Sequence, residues 1–244
     1  MKLLLFADKF VGLNISKYLL ENYPEDLLLV VTKQRNEIFQ LVEQCGIPVC
    51  VFETSGSLIT RLTDEVDLGV LAWWPDILRS PLLEVPRYGF LNTHPSFLPY
   101  NRGKHYNFWA IVEQAPFGVT IHWADTRVDT GGIVAQKKIE YDWCDNGGTL
   151  YFRAQEETIS LFFQTYPLVR IGVFDSIPQD QEIGSYHHSS EIDQVSEINL
   201  DRMYRARDLL NLLRARTFEG YPGCWFEESG SRFEISISIK KVGL

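Results

Sequence analysis

Three polar side chains sit where apolar runs of this sequence end. Asn92 and His94 follow Gly89-Phe90-Leu91, and Asp129 opens the turn Asp129-Thr130-Gly131-Gly132. An amide can aim an N–H at an oxygen that gains negative charge, a donor worth roughly 3–4 kcal/mol to a transition state. An imidazole with an unperturbed pKa of ~6.5 can take a proton near neutral pH, and a carboxylate can orient that ring or relay the proton. Each residue also has an ordinary role: Asn92 as a loop cap, His94 as a hydrogen-bonded structural histidine, Asp129 as a turn former. Their conjunction in this order carries the weight. Ser96 follows Pro95 and lies outside any Gly-x-Ser-x-Gly turn, so serine hydrolysis is poorly served.

For these groups to meet, the chain must bring several strand ends side by side. Lys2 to Ala7, Leu27 to Thr32 and Pro48 to Phe52 read as buried strands, separated by amphipathic helical stretches at Leu13 to Glu21 and Asn36 to Cys45. Leu68 to Ala72 and Gly89 to Asn92 read as two more, Phe117 to Asp125 and Gly132 to Tyr141 as a strand pair, and Asn146 to Tyr166 as one long helix. The alternation predicts an α/β fold with a doubly wound, mostly parallel sheet over residues 1–178. Ligands of such sheets bind outside the carboxyl ends of the strands. Asn92 and His94 are two residues apart, so on a strand both project to the same side.

Residues 179–200 have lost apolar periodicity and read as a loop-rich connector. The tail, 201–244, reads as a basic amphipathic helix from Asp201 to Arg216, its arginines solvating an exposed face, and a β-hairpin. The hairpin strands are Trp225 to Glu228 and Phe233 to Lys241 around Ser229-Gly230. Phe233, Ile235, Ile237 and Ile239 form an apolar strip that so small an appendage cannot easily cover, which predicts a homodimer through the hairpin.

The 244 residues, 45% hydrophobic, suffice for a full core. A net charge of −9 argues against gripping a phosphodiester backbone, so nucleic acid is not an expected partner. Cys45, Cys50, Cys144 and Cys224 lack zinc or disulfide spacing and are expected to be reduced and mostly buried; no metal is expected. No apolar run approaches a bilayer span and no secretory signal is evident, which predicts a cytoplasmic protein with no membrane partner. The first loop, Ala7-Asp8-Lys9-Phe10-Val11-Gly12, lacks the Gly-x-Gly-x-x-Gly of nicotinamide binders.

The run LNTHPSFLP from Leu91 to Pro99, then Arg102-Gly103 and Asp129-Thr130-Gly131, resembles the folate-dependent formyltransferases, most strongly over residues 65–140. The resemblance implies a Rossmann-type core, 10-formyltetrahydrofolate as co-substrate, and Asn92, His94 and Asp129 as the catalytic three. It implies that Ala72 to Ile77 face the pterin, with Trp74 and Ile77 as candidates beside an ordinary packing role, and Arg102 and Gly103 as further cofactor contacts. Family branches differ in the accepting amine: methionyl-tRNA, glycinamide ribonucleotide, or an amino sugar on a nucleotide diphosphate. The loop PYNRGKHYNFW from Pro99 to Trp109 and the run DLLNLLRARTFEGYPGCW ending at Trp225 resemble the sugar branch. That implies a dTDP-linked amino-dideoxy sugar, such as dTDP-4-amino-4,6-dideoxyglucose, destined for surface polysaccharide or lipopolysaccharide O-antigen. His105 is a substrate candidate in that loop. Lys9 either meets the phosphates at a helix start or is simply solvated; Tyr221 either stacks on the base or packs a turn. A formylfolate hydrolase shares the same three residues but usually carries an amino-terminal regulatory domain that this sequence does not show.

Overall fold

A computed structural model of the chain describes residues 1–62, 65–173 and 175–243. In chain order the elements are β1 (Leu3–Ala7), α1 (Lys9–Asn22), β2 (Leu27–Thr32), α2 (Glu37–Gln44), β3 (Val49–Val51), α3 (Ser55–Ile59), β4 (Leu68–Ala72) and β5 (Phe90–His94). They continue as β6 (Arg102–Gly103), α4 (Tyr106–Glu113), β7 (Gly118–Trp123), β8 (Ile133–Lys138), α5 (Gly147–Arg170), β9 (Tyr186–His187), α6 (Glu191–Val195), α7 (Ala206–Arg216), β10 (Cys224–Glu228) and β11 (Ser231–Ile235). Seven strands form one sheet in the order β3-β2-β1-β4-β5-β7-β8. Pairing is parallel from β3 through β5 and turns antiparallel between β5 and β7. The α/β sheet expected from the alternation of patterns is therefore the observed one. Among the described residues no helix is long and apolar enough to cross a membrane.

The chain divides into two compact units, one of Met1–His94, Thr120–Gln136 and Gln155–Gln179, the other of Pro95–Val119, Lys137–Ala154 and Asp180–Leu244. In the first unit all five residues of β1 are buried and pair one for one with β4, Leu3 with Leu68 through Ala7 with Ala72. Such a strand reads as a continuous apolar run because both its faces are covered. α1 begins four residues before its amphipathic pattern does. Gly12 allows this: a Cβ there would lie 2.9 Å from the Ala7 carbonyl carbon and 3.1 Å from the Ala72 oxygen, so only glycine lets the helix start this close to the strand ends. At the far end, α5 continues past the expected stop at Tyr166 and through Pro167 to Arg170. The extra turn is used: Asp26, fully buried, accepts bonds from the Tyr166 hydroxyl at 2.8 Å and Arg170 Nε at 2.6 Å.

In the second unit α4 lies within a segment expected to be a loop. Tyr106 through Ile111 are all buried, so α4 has no polar face to produce a helical period. The connector carries β9 and α6, and β6 pairs with β9. α7 starts five residues later than its charge pattern suggested, and its arginines are not all solvated. Arg214 is 5% exposed and donates to Asn211 Oδ1 and to the carbonyls of Asp142 and Asp145. The hairpin turn falls at Ser229-Gly230 as expected, but β11 ends at Ile235. Ile235 and Ile237 pack against Ile198, Leu213 and Cys224, so part of the apolar strip is covered within the unit, while Phe233 remains exposed. The cysteines are free, but only Cys50 and Cys224 are buried; Cys45 and Cys144 lie on the exposed ends of short turns.

Burial alone would raise the Asp26 carboxyl, yet the bonds from Arg170 and Tyr166 hold it below its ordinary value. A depressed carboxyl contributes stability that is present above its unfolded pKa and lost as pH falls through the folded one. Tyr166→Phe removes one donor to this charge and is expected to cost about 1–2 kcal/mol at neutral pH in urea unfolding. The difference from wild type should shrink in acid, where Asp26 takes up a proton.

Candidate active site

β5 ends with Asn92 and His94 on the same face, and the antiparallel partner β7 sets its own polar residues on that face. The register places Asn92 opposite His122 and His94 opposite Thr120. Cross-strand neighbours on one face are close enough for their side chains to interact. Asp129 reaches the group from the loop after β7. Its Oδ1 lies 3.3 Å from Asn92 Nδ2, 3.4 Å from His94 Nδ1 and 3.7 Å from His122 Nε2. His94 is 6% exposed and His122 1% exposed, so the cluster operates largely out of bulk water.

The hydrogen-bond chemistry fixes which atoms carry protons. His122 Nδ1 lies 2.8 Å from the Trp123 carbonyl oxygen, an acceptor, so Nδ1 bears the hydrogen of the neutral ring. Nε2 is then an acceptor, and the Asn92 atom 3.1 Å from it must be the amide nitrogen. The Asp129 carboxylate demands the same orientation of Asn92. With His94 Nδ1 facing that carboxylate, Nε2 is the basic nitrogen of the ring.

Asp129 adopts a left-handed backbone, φ 54, within a loop that depends on its neighbours. Gln179 Nε2 donates to the carbonyls of Asp129 at 3.0 Å and Gly131 at 2.7 Å. Thr130 Oγ1 donates to the Asp125 carboxylate at 2.8 Å. A Cβ on Gly131 would sit 1.8 Å from the Trp123 carbonyl oxygen, so the loop closes only because that residue is glycine.

The remaining candidates have the following surroundings. Trp74 is buried in the core of the first unit, edge-on to Phe6 and Phe52, which is the packing role weighed for it; Ile77 is 59% exposed. Lys9 is exposed at the first turn of α1. The others belong to the second unit. Arg102 bonds Gln181 and the Ser185 carbonyl, and Gly103, φ 88, lies where a Cβ would meet the His187 oxygen at 2.4 Å. His105 caps α4, with Nε2 3.3 Å from the Ser189 carbonyl, and burial lowers its pKa. Tyr221 is exposed and tilts against Phe218 with ring centroids 4.5 Å apart. Among the described residues no group of three or more His, Cys, Asp or Glu is placed to hold a metal.

Residues 9–165 match the formyl transferase family, and residues 191–241 match the N-formyltransferase dimerization C-terminal domain. The chain belongs to the formyl transferase family. It is 29% identical over 154 residues to the dTDP-4-amino-4,6-dideoxyglucose formyltransferase of Mycobacterium tuberculosis, covering 63% of this chain and 65% of that protein. It is 31% identical over 209 residues to the methionyl-tRNA formyltransferase of Bacillus pumilus, covering 82% of this chain and 62% of that one. It thus spans less than two thirds of the length of either relative. Among solved structures it resembles a 4-N formyltransferase from Francisella tularensis, with TM-score 0.81, 23% identity and 99% and 98% of the two chains covered. It also resembles the formyltransferase PseJ from Anoxybacillus kamchatkensis, in complex with UDP-4,6-dideoxy-4-formamido-L-AltNAc and tetrahydrofolate. That match has TM-score 0.58 and 25% identity, and covers 85% of this chain and 94% of PseJ.

His122 and Gln179 were not singled out as site residues from sequence. Thr120 and His122 alternate with Val119, Ile121 and Trp123, which marks a polar face on β7, but the register that sets His122 against Asn92 has no local signature. His122→Leu removes the acceptor that orients the Asn92 amide, worth about 1–1.5 kcal/mol and hence about tenfold in turnover. Steady-state turnover is expected to show the loss in kcat with KM nearly unchanged, and His122→Gln, whose Oε1 can accept the same bond, is expected to restore most of it.

Proposed function

We propose that this formyl transferase moves the formyl group of 10-formyltetrahydrofolate onto the primary amine of a dTDP-linked amino-dideoxy sugar, such as dTDP-4-amino-4,6-dideoxyglucose. The observation that carries it is the convergence of an amide and an imidazole of β5, at 3.3 and 3.4 Å, on one carboxylate from the loop after β7. A neutral amine that attacks a formyl carbon makes a tetrahedral intermediate with a negative oxygen. It must shed a proton before the folate nitrogen can leave. In this proposal His94 Nε2 takes that proton, Asp129 stabilises the imidazolium across Nδ1, and Asn92 supplies an N–H to the oxyanion. The loop 73–77 at the carboxyl end of β4 meets the pterin with its backbone groups, and Lys9 meets an anionic part of the acceptor at the start of α1.

Two features support the sugar acceptor. Residues 191–241 match a C-terminal domain described for N-formyltransferases, and the M. tuberculosis relative is named for this substrate. The net charge of −9 opposes an RNA acceptor. Methionyl-tRNA is the second reading, favoured by the longer match to the B. pumilus enzyme. We assign residues 1–178 to catalysis, 179–200 to a connector, and 201–244 to dimerisation, in a cytoplasmic homodimer that serves surface polysaccharide synthesis.

The test supplies 10-formyltetrahydrofolate alone, with dTDP-4-amino-4,6-dideoxyglucose, or with methionyl-tRNA, and follows tetrahydrofolate release. Release that depends on the sugar is expected. Release with no acceptor would make the protein a hydrolase, and release only with methionyl-tRNA would move it to the second reading. Asp129→Asn should lower kcat by about 100-fold or more and leave KM within about threefold, because it removes a charge used chiefly in the transition state. Sedimentation at micromolar concentration should give a dimer; a monomer would refute the role given to the tail.

A further inference from the structure

Thr93 lies between Asn92 and His94, and strand alternation sends its side chain to the opposite face of the sheet. It is 4% exposed. Its hydroxyl donates to the Leu71 carbonyl at 3.0 Å and accepts from the Trp73 backbone N–H at 3.0 Å. One oxygen therefore spans the two residues that flank Ala72, where β4 ends. The backbone pairing of β4 with β5 finishes at Leu71 opposite Asn92, so beyond that point the Thr93 hydroxyl continues the connection between the strands.

Trp73 is the first residue of the loop that follows, and it adopts φ 59. Bulky L residues rarely occupy the left-handed region, and such a conformation persists only where its surroundings hold it. The Ala72 carbonyl, pointing the other way, accepts the Asp8 N–H at 3.2 Å, which ties the same strand end to the start of α1. The direction in which residues 73–77 leave the sheet is thus set by a side chain of the strand that carries Asn92 and His94.

We propose that Thr93 is a positioning residue for the pterin of the reduced folate, which holds the loop 73–77 in register with the catalytic face of β5. The proposal rests on the folate reading given above. Its physical requirement is narrow: the side chain must donate and accept at once, from a fixed place in a dry interior. Serine meets the requirement. Valine has nearly the shape of threonine and meets neither half of it, and alanine lacks the hydroxyl without adding bulk. Because Asn92 and His94 face the other way, removal of the hydroxyl should loosen folate far more than it disturbs the acceptor.

The experiment measures binding of 5-formyltetrahydrofolate, as a stable probe, to the wild-type protein and to Thr93→Val, Thr93→Ala and Thr93→Ser by titration calorimetry. KM for the amino sugar is measured on the same preparations. Val and Ala are expected to raise the folate Kd about tenfold, with Ser within about threefold of wild type and the sugar KM unchanged in all. If Val misfolds, Ala carries the comparison with Ser. Folate affinity retained by the hydroxyl-free variants, or lost equally in Ser, would overturn the proposal. Failure of the wild-type protein to bind the probe would instead overturn the folate reading beneath it.

Discussion

The Asp129 carboxylate sits where Asn92 and His94 end one strand and His122 lies on the next, and it is the only group of the four that brings negative charge. Its place depends on two distant stretches of chain being in register. A shift of one residue between β5 and β7 would send His122 to the face opposite Asn92 and His94, since side chains alternate along a strand. The loop that presents Asp129 is held from outside by Gln179 and closed by a glycine that tolerates the Trp123 carbonyl. The sheet is thus more than a scaffold: its one antiparallel pairing with β5 assembles the acceptors and donors in a single dry cluster.

Strand β5 serves both of its faces. On one, Asn92 and His94 meet the carboxylate; on the other, Thr93 ties down Trp73 at the end of β4. A strand that organises two loops at once has little freedom to shift without cost to both. This couples the geometry of Asn92 and His94 to that of the neighbouring loop through a single backbone, whose rigidity comes from the buried core around Phe6 and Phe90.

Much of this was legible in the amino-acid sequence because it depended on local pattern. Buried strands announce themselves as apolar runs, and residues 92 and 94 share a face whatever their partners. What escaped depended on burial or on distance. α4 is buried all round, so its helical period vanishes. Arg214 lies among arginines that look solvated, yet it is enclosed because three oxygens of the same unit converge on it. His122 required knowledge of strand register, and Gln179 lies 50 residues beyond the aspartate whose carbonyl it holds. Trp74, conspicuous in sequence as a large aromatic beside a loop, is packed on Phe6 and Phe52 because a tryptophan at the end of a buried strand has most to gain from joining the core.

The proton assignments also constrain how Asn92 can act. In the resting cluster its two N–H groups point at His122 Nε2, 3.1 Å away, and Asp129 Oδ1, 3.3 Å away. In the proposed transfer the amide would give up one of these to reach the oxyanion, and the longer bond to Asp129 is the one expected to yield. A neutral formyl oxygen is a poor rival to a carboxylate, but an alkoxide competes well because bonds to charged acceptors are about twice as strong as neutral ones. In the same proposed step His94 would become cationic and engage Asp129 across Nδ1, so the carboxylate would have less need of the amide. Such an exchange is favourable only once charge has developed, which would concentrate the stabilisation in the transition state, where it raises rate and not merely affinity. His122, which has no part in that exchange, keeps the second N–H fixed throughout and so prevents the amide from turning its carbonyl toward the negative oxygen.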